Sequence, residues 1–190
     1  MIDEFLQEQA TLYATGALSA EERELFEIVL EYDNELRALT TGLTETGAAI
    51  TLAGLGSEDN KPSPELKTRI LTTALKRPQQ VAEESWVVSG PDGLVKWVNP
   101  AFSEMCGYTL DELRGKNLGP ILQGDKTDRQ TAQRLREAVH AGRPCREAII
   151  NYRKNGEPYW VEVAISPFLN RVGEPLYLVA RERQLAGAIP

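Results

Sequence analysis

The spacing of apolar positions changes character part-way along the chain. In the first stretch, Phe5, Leu6, Gln9, Leu12 and Tyr13 recur at helical spacing until Gly16 breaks the run. Ser19-Ala20-Glu21-Glu22 follows as a capping-box start, in which a hydroxyl and a carboxylate three residues apart satisfy each other's free backbone N–H groups. It opens a second helix with Leu25, Phe26, Val29 and Leu30 on one face. Asp33-Asn34 interrupts the pattern, and a third helix is predicted from Glu35 to about Leu52, weakened by its threonines and by Gly42 and Gly47. Gly54 to Pro64 has the composition of a linker, and Ser63-Pro64-Glu65 starts a fourth helix with apolar residues at 66, 70, 71 and 75.

From Trp86 the period shortens to two. Trp86-Val87-Val88 and Leu94 to Val98 flank the turn Pro91-Asp92-Gly93, the alternation of a hairpin. Helical material is predicted from Pro100 to about Glu137, then three strands: Arg146 to Arg153, Tyr159 to Pro167 and Leu176 to Arg183. Asn155-Gly156 suits a primed two-residue turn between the first two of these. The fold class is therefore α+β: an all-α N-terminal module and a five-stranded antiparallel sheet with helices on one face. The expected divisions are a helical module over 1–56, a linker and connecting helix over 57–83, the sheet domain over 84–184 and a tail over 185–190.

Charge separates the halves further. Residues 1–80 carry fourteen acidic and seven basic side chains, a net of -7, whereas residues 81–190 carry fourteen of each. An acidic module repels nucleic acid and attracts basic proteins, so direct DNA binding is disfavoured. The helical segment has few large apolar groups for its length; either its helices pack on the sheet domain or on each other, or some apolar surface is reserved for another protein. No apolar run is long enough to span a bilayer and the start is acidic, which places the expected protein in the cytoplasm, off the membrane. Cys106 and Cys145 are expected to be reduced, packed thiols. No Ser-His-Asp, Cys-His, phosphate-loop or metal-ligand spacing occurs, so no enzymatic activity is expected.

The second segment resembles a PAS domain. The motifs that carry the resemblance are Pro91-Asp92-Gly93, Val98-Asn99-Pro100-Ala101-Phe102, Cys106-Gly107-Tyr108, Leu122-Gln123-Gly124, Thr127-Asp128, Asn151-Tyr152-Arg153-Lys154-Asn155-Gly156 and Ile165-Ser166-Pro167. The Leu-Gln-Gly, Thr-Asp and Asn-Tyr-Arg-Lys signatures are similar to the light-oxygen-voltage branch, which includes the flavin-binding light sensors. That resemblance implies a ligand pocket drawn from Asn99, Gln123, Arg136, Asn151, Val161, Ile165 and Glu182.

The same resemblance implies a weakened flavin site. Gly119 stands where the photosensors carry their reactive cysteine, so no thiol adduct can form there. Pro120 replaces one phosphate-gripping arginine, leaving Arg136; Gln123 and Asn151 match ring-reading residues, whereas Val161 and Glu182 replace an asparagine and a glutamine. Each buried partner lost costs ~1 to 3 kcal/mol. On that ground no cofactor is assigned, flavin (FMN or FAD) is disfavoured, and a small hydrophobic metabolite or an empty pocket is expected. His140, at the end of the last predicted helix, is out of place for a haem ligand and reads as a solvated or capping residue.

The first segment resembles the N-terminal region of anti-sigma factors, through Leu12-Tyr13-Ala14-Thr15-Gly16-Ala17-Leu18-Ser19-Ala20-Glu21-Glu22-Arg23 and Pro64-Glu65-Leu66-Lys67. With no histidine or cysteine before residue 106, it would be a zinc-free version. The resemblance implies a sigma factor as basic partner, held by Leu12, Leu18, Glu21, Leu25, Phe26 and Leu30. Because Gln184-Leu185-Ala186 occupies the place of the usual output motif and Pro190 follows closely, output is expected to run back into the helices or else through the exposed sheet to a partner. The PAS sheet is further expected to form homodimers. A flavin photosensor or redox sensor acting without a thiol, and a plain dimerising adaptor, stand as the rival functions.

Overall fold

Asp3 accepts a hydrogen bond from the Phe5 N–H and starts helix α1 over Glu4–Ala14. The chain then turns through Gly16, whose φ of 73° is in the left-handed region that a side chain strains to adopt. Ser19 and Glu22 form the predicted capping box, at 3.3 and 2.9 Å, and open α2 over Ala20–Tyr32. Its C-terminal carbonyls are closed by Arg37, which donates to Leu30 O at 2.8 Å and Glu31 O at 2.7 Å. Asp33 caps the next helix by accepting from Leu36 N.

That helix, α3, runs unbroken over Asn34–Gly54 despite its threonines and glycines. Thr40, Thr41, Thr44 and Thr46 each donate to the carbonyl four residues back, which turns competing hydroxyls into part of the helix. The computed structural model describes residues 2–54 and 84–187. The predicted linker, the fourth helix and the connecting helix therefore lie outside the described residues. The chain divides into two compact units, Met1–Gln80 and Val81–Pro190.

In the second unit, β1 (Ser85–Ser89) and β2 (Val95–Val98) form the predicted hairpin, with Val87 opposite Val98. Four helices follow: α4 over Pro100–Cys106, α5 over Leu110–Leu113, α6 over Gly119–Leu122 and α7 over Arg129–His140. Strands β3 (Cys145–Tyr152), β4 (Pro158–Leu169) and β5 (Pro175–Gln184) complete an antiparallel sheet of order β2-β1-β5-β4-β3. The last strand thus lies at the centre, between the first and fourth. Among the described residues no helix is long and apolar enough to cross a membrane.

All three hairpins use one turn. Gly93, Gly156 and Gly173 each have φ between 75° and 84°, and each donates its N–H to the carbonyl three residues back. No non-glycine residue among those described has positive φ, so Asn155 is not in the conformation a primed turn needs. The expected primed turn is replaced by a type I turn with a left-handed glycine closing it.

Candidate functional site

Two local devices set the helical side of the site. The first is Asn99, which is 4% exposed and accepts from Trp86 N (2.9 Å) and Phe102 N (3.0 Å) while donating to Glu84 O. It fastens the start of α4 to β1, and Gly107, at φ 80°, ends that helix. The second is the loop between α6 and α7. Thr127 Oγ1 accepts from Gly124 N at 2.9 Å and donates to Ile150 O at 2.7 Å, tying the loop to β3. Gly124 leaves room for the Tyr152 ring: a Cβ there would lie 2.7 Å from it. Tyr152 Oη in turn accepts from Lys126 N. Gln123 and α7 take their positions from this anchored loop.

Between these helices and the inner face of the sheet is a cavity of about 270 Å³. Strand alternation supplies its wall: Leu178, Ala180 and Glu182 share one face of β5, Val163 and Ile165 one face of β4, and Ile149 and Asn151 one face of β3. Gly119, Leu122 and Gln123 on one side and Leu135, Arg136 and His140 on another close it. Arg136, His140, Pro120 and Asn117 are exposed and mark its mouth, whereas Asn151 and Glu182 are buried.

Glu182 is the exceptional wall residue. It is 4% exposed, and its Oε2 has no hydrogen-bond partner among the described residues. Burial pushes its carboxyl up to about 8, since the low-polarity surroundings penalise the charged form. Burial thus favours the protonated form of Glu182, which has one O–H donor and one acceptor oxygen, close to the shape and hydrogen-bonding capacity of a glutamine. In that form Glu182 lacks the amide of the glutamine it replaces but still offers a donor.

Of the residues expected in the pocket, Gln123, Arg136, Asn151, Ile165 and Glu182 line the cavity, while Asn99 and Val161 do not. Asn99 is spent on the β1–α4 corner, and Val161 is fully buried in the core packing. Sequence reasoning did not place His140 or Asn117 at the mouth: His140 ends α7, where it read as a solvated or capping residue, and Asn117 lies in the loop before α6. Neither thiol reaches the cavity wall. Cys106 is buried and free and Cys145 half-buried and free, and burial raises both thiols above their ordinary range, which leaves them inert.

In the helical unit, Phe26 is fully buried with its ring 5.4 Å from that of Tyr13, and Leu18 is buried too. Neither is open to a partner, so both leave the expected contact set and join the core with Ile28, Val29 and Leu36. Glu21 is exposed, and Leu12, Leu25 and Leu30 are half-buried. Among the described residues no group of histidine, cysteine or carboxylate side chains could hold a metal ion.

Residues 83–182, which contain the whole sheet up to Glu182 and the cavity, match the PAS domain family. The chain belongs to it. The PAS segment is 37% identical over 92 residues to the blue-light-activated histidine kinase of Brucella canis and 36% identical over 92 residues to that of Brucella anthropi. These matches cover 48% of this chain and 19% and 18% of those proteins, so the chain spans about a fifth of the length of the curated relatives it matches. Among solved structures, the LOV domain of the Erythrobacter litoralis EL346 blue-light-activated histidine kinase is 29% identical with a TM-score of 0.51, covering 55% of this chain and 97% of that one. A light-oxygen-voltage domain studied with a flavin analogue gives 25% identity and a TM-score of 0.53, covering 60% and 85%. The PAS domain is thus of the light-oxygen-voltage-like kind in fold and sequence.

Proposed function

We propose that the PAS domain is a sensor whose cavity takes a flavin-class ring, and that it works as a photosensor or redox sensor without a cysteine thiol. The carrying observation is that Gln123, Asn151 and Glu182, whose burial favours its protonated form, line one cavity with a largely apolar inner wall, while Asn117, Arg136 and His140 stand at its exposed mouth. That is the arrangement by which a flat heteroaromatic ring is held, with apolar walls on its faces and donors and acceptors at its edge. The blue-light-activated relatives support the same reading. A flavin, when bound, supplies blue-light absorption and reversible reduction; the chain supplies a dry cavity and fixed edge contacts.

The residues fit the ring better than a phosphate tail. Arg136 is the one arginine in the cavity wall; it is exposed, and Pro120 beside it offers no charge. An exposed cation contributes little against solvent. Riboflavin and FMN are therefore expected to bind within about tenfold of each other, a difference of about 1.4 kcal/mol. Purified chain titrated with each, followed by quenching of flavin fluorescence, tests the reading. A preparation that is colourless and quenches neither removes it.

For the output, we infer that the acidic helical unit engages a basic protein, with a sigma factor the candidate that the sequence resemblance suggests. Support comes from the exposed Glu21, Glu24 and Glu31 on α2, beside the half-buried Leu25 and Leu30. Copurification with the sigma factor at low salt, abolished by Glu21→Lys together with Glu24→Lys, is the expected result. Equal retention by the charge-reversed variant would remove the inference.

A further inference from the structure

Glu182 presents a problem of its own, separate from any cofactor. A carboxyl group in an apolar wall with an unpartnered oxygen is destabilising unless something completes it. The neighbours do not. Across the sheet, Glu182 faces Val163 on β4 and Ser85 on β1. Ser85 gives its hydroxyl to Met105 Sδ at 3.7 Å. The other titratable groups within electrostatic reach are the Tyr159 phenol of β4 and the Cys106 thiol of α4. Both are raised by burial first and by the Glu182 charge next or later, and both are themselves neutral. Arg153 lies over the Tyr159 ring at 4.6 Å and is engaged by Met105 O and by Gln184 Oε1. Arg136 and His140 stand at the exposed mouth, and the described residues pair neither with Glu182. Among the described residues nothing neutralises a charge at this position.

The group left unfinished by the fold is thus an acid aimed into a cavity. We propose that Glu182 remains protonated in the folded domain and donates its proton in a hydrogen bond to an acceptor atom of the bound ligand, which makes occupancy of the cavity proton-linked. The ligand class follows: a neutral, flat molecule with an acceptor nitrogen or oxygen at the Glu182 end, rather than a cation. With the flavin-class ring as ligand, this inference rests on the function proposed above. No covalent step is involved, and the proton stays on Glu182 in the complex.

Two measurements on the full chain test it separately from that function. In the first, infrared difference spectra between wild type and Glu182→Gln should show a protonated-carboxyl carbonyl band near neutral pH that is lost as pH passes through about 8. In the second, riboflavin affinity of the wild type should hold steady to about the same pH and then fall about tenfold per further pH unit, while Glu182→Gln binds with no such fall. Glu182→Leu, which keeps the volume but has no donor, should bind weakly throughout. An ionised Glu182 near neutral pH overturns the proposal, as does riboflavin binding of the wild type that is indifferent to alkaline pH. The carboxyl band without riboflavin binding upholds the protonated donor and overturns the flavin reading alone.

Discussion

Asn99 and Glu182 are equally buried, each 4% exposed, yet they are treated in opposite ways. Asn99 spends its amide within the chain: two backbone N–H groups donate to its oxygen and its nitrogen donates to the Glu84 carbonyl. Glu182 has an oxygen with no partner among the described residues. A buried polar group that is satisfied from within the chain holds the fold together; one that the chain leaves open is a place for something else. The difference separates the corner that shapes this PAS domain from the cavity wall that gives it something to sense.

The sharpest way to break that contrast is through pH. The unfolded Glu182 carboxyl loses its proton near 4.5, whereas the folded one keeps it to about 8. Between those limits the folded state holds more protons than the unfolded one, so stability falls as pH rises and levels off above about 8. At about 1.4 kcal/mol for each tenfold change in proton affinity, the loss is bounded at about 5 kcal/mol. Urea unfolding across this range should show Glu182→Gln gaining steadily on the wild type as pH increases. Parallel curves for the two proteins would mean that Glu182 has found a partner.

The opposite member of the pair is probed by Asn99→Ala, which strips partners from Trp86 N, Phe102 N and Glu84 O at once. A loss of about 3 kcal/mol is expected by thermal or urea unfolding, independent of pH. Asn99→Asp, which keeps the two accepted bonds, should lose less. If both variants fold as well as the wild type, the corner is not an anchor. Next in size, Gly124→Ala forces a Cβ against the Tyr152 ring and should cost about 2 kcal/mol, with a matching loss of ligand affinity because the same loop carries Gln123. Unchanged riboflavin binding in that variant would uncouple the loop from the cavity.

The elements themselves were largely legible. The five strands begin and end within two residues of where alternation placed them, because a half-buried strand must alternate and its turns must carry glycine. What alternation gives is the face on which a side chain lies, not what that face meets. Val161 and Val163 share one face of β4, yet Val161 is packed solid and Val163 lines the cavity. Phe26 shows the same limit in the helices. Its spacing marks it as apolar-face, but Tyr13 and the other helices cover that face, and no periodicity within α2 could say so. Glu182 was placed in the pocket by its match to a glutamine position, but the letter alone could not show that burial would favour its neutral form.

The smallest effect asks whether Glu182 has an alternative partner within the sheet. Ser85 is its neighbour in register on β1, buried, with its hydroxyl turned to a sulfur, which is a weak acceptor. Removing so weak a bond in Ser85→Ala should cost below about 1 kcal/mol and leave the pH dependence of stability where it was. Suppose instead that the hydroxyl turns toward the carboxylate once Glu182 ionises. It would then donate to the charged form and reduce the total alkaline loss, and Ser85→Ala would enlarge that loss and move its end to higher pH at the same slope. Unfolding curves of Ser85→Ala and wild type that superimpose in shape show that the proton on Glu182 is the one hydrogen-bonding resource at that end of the cavity.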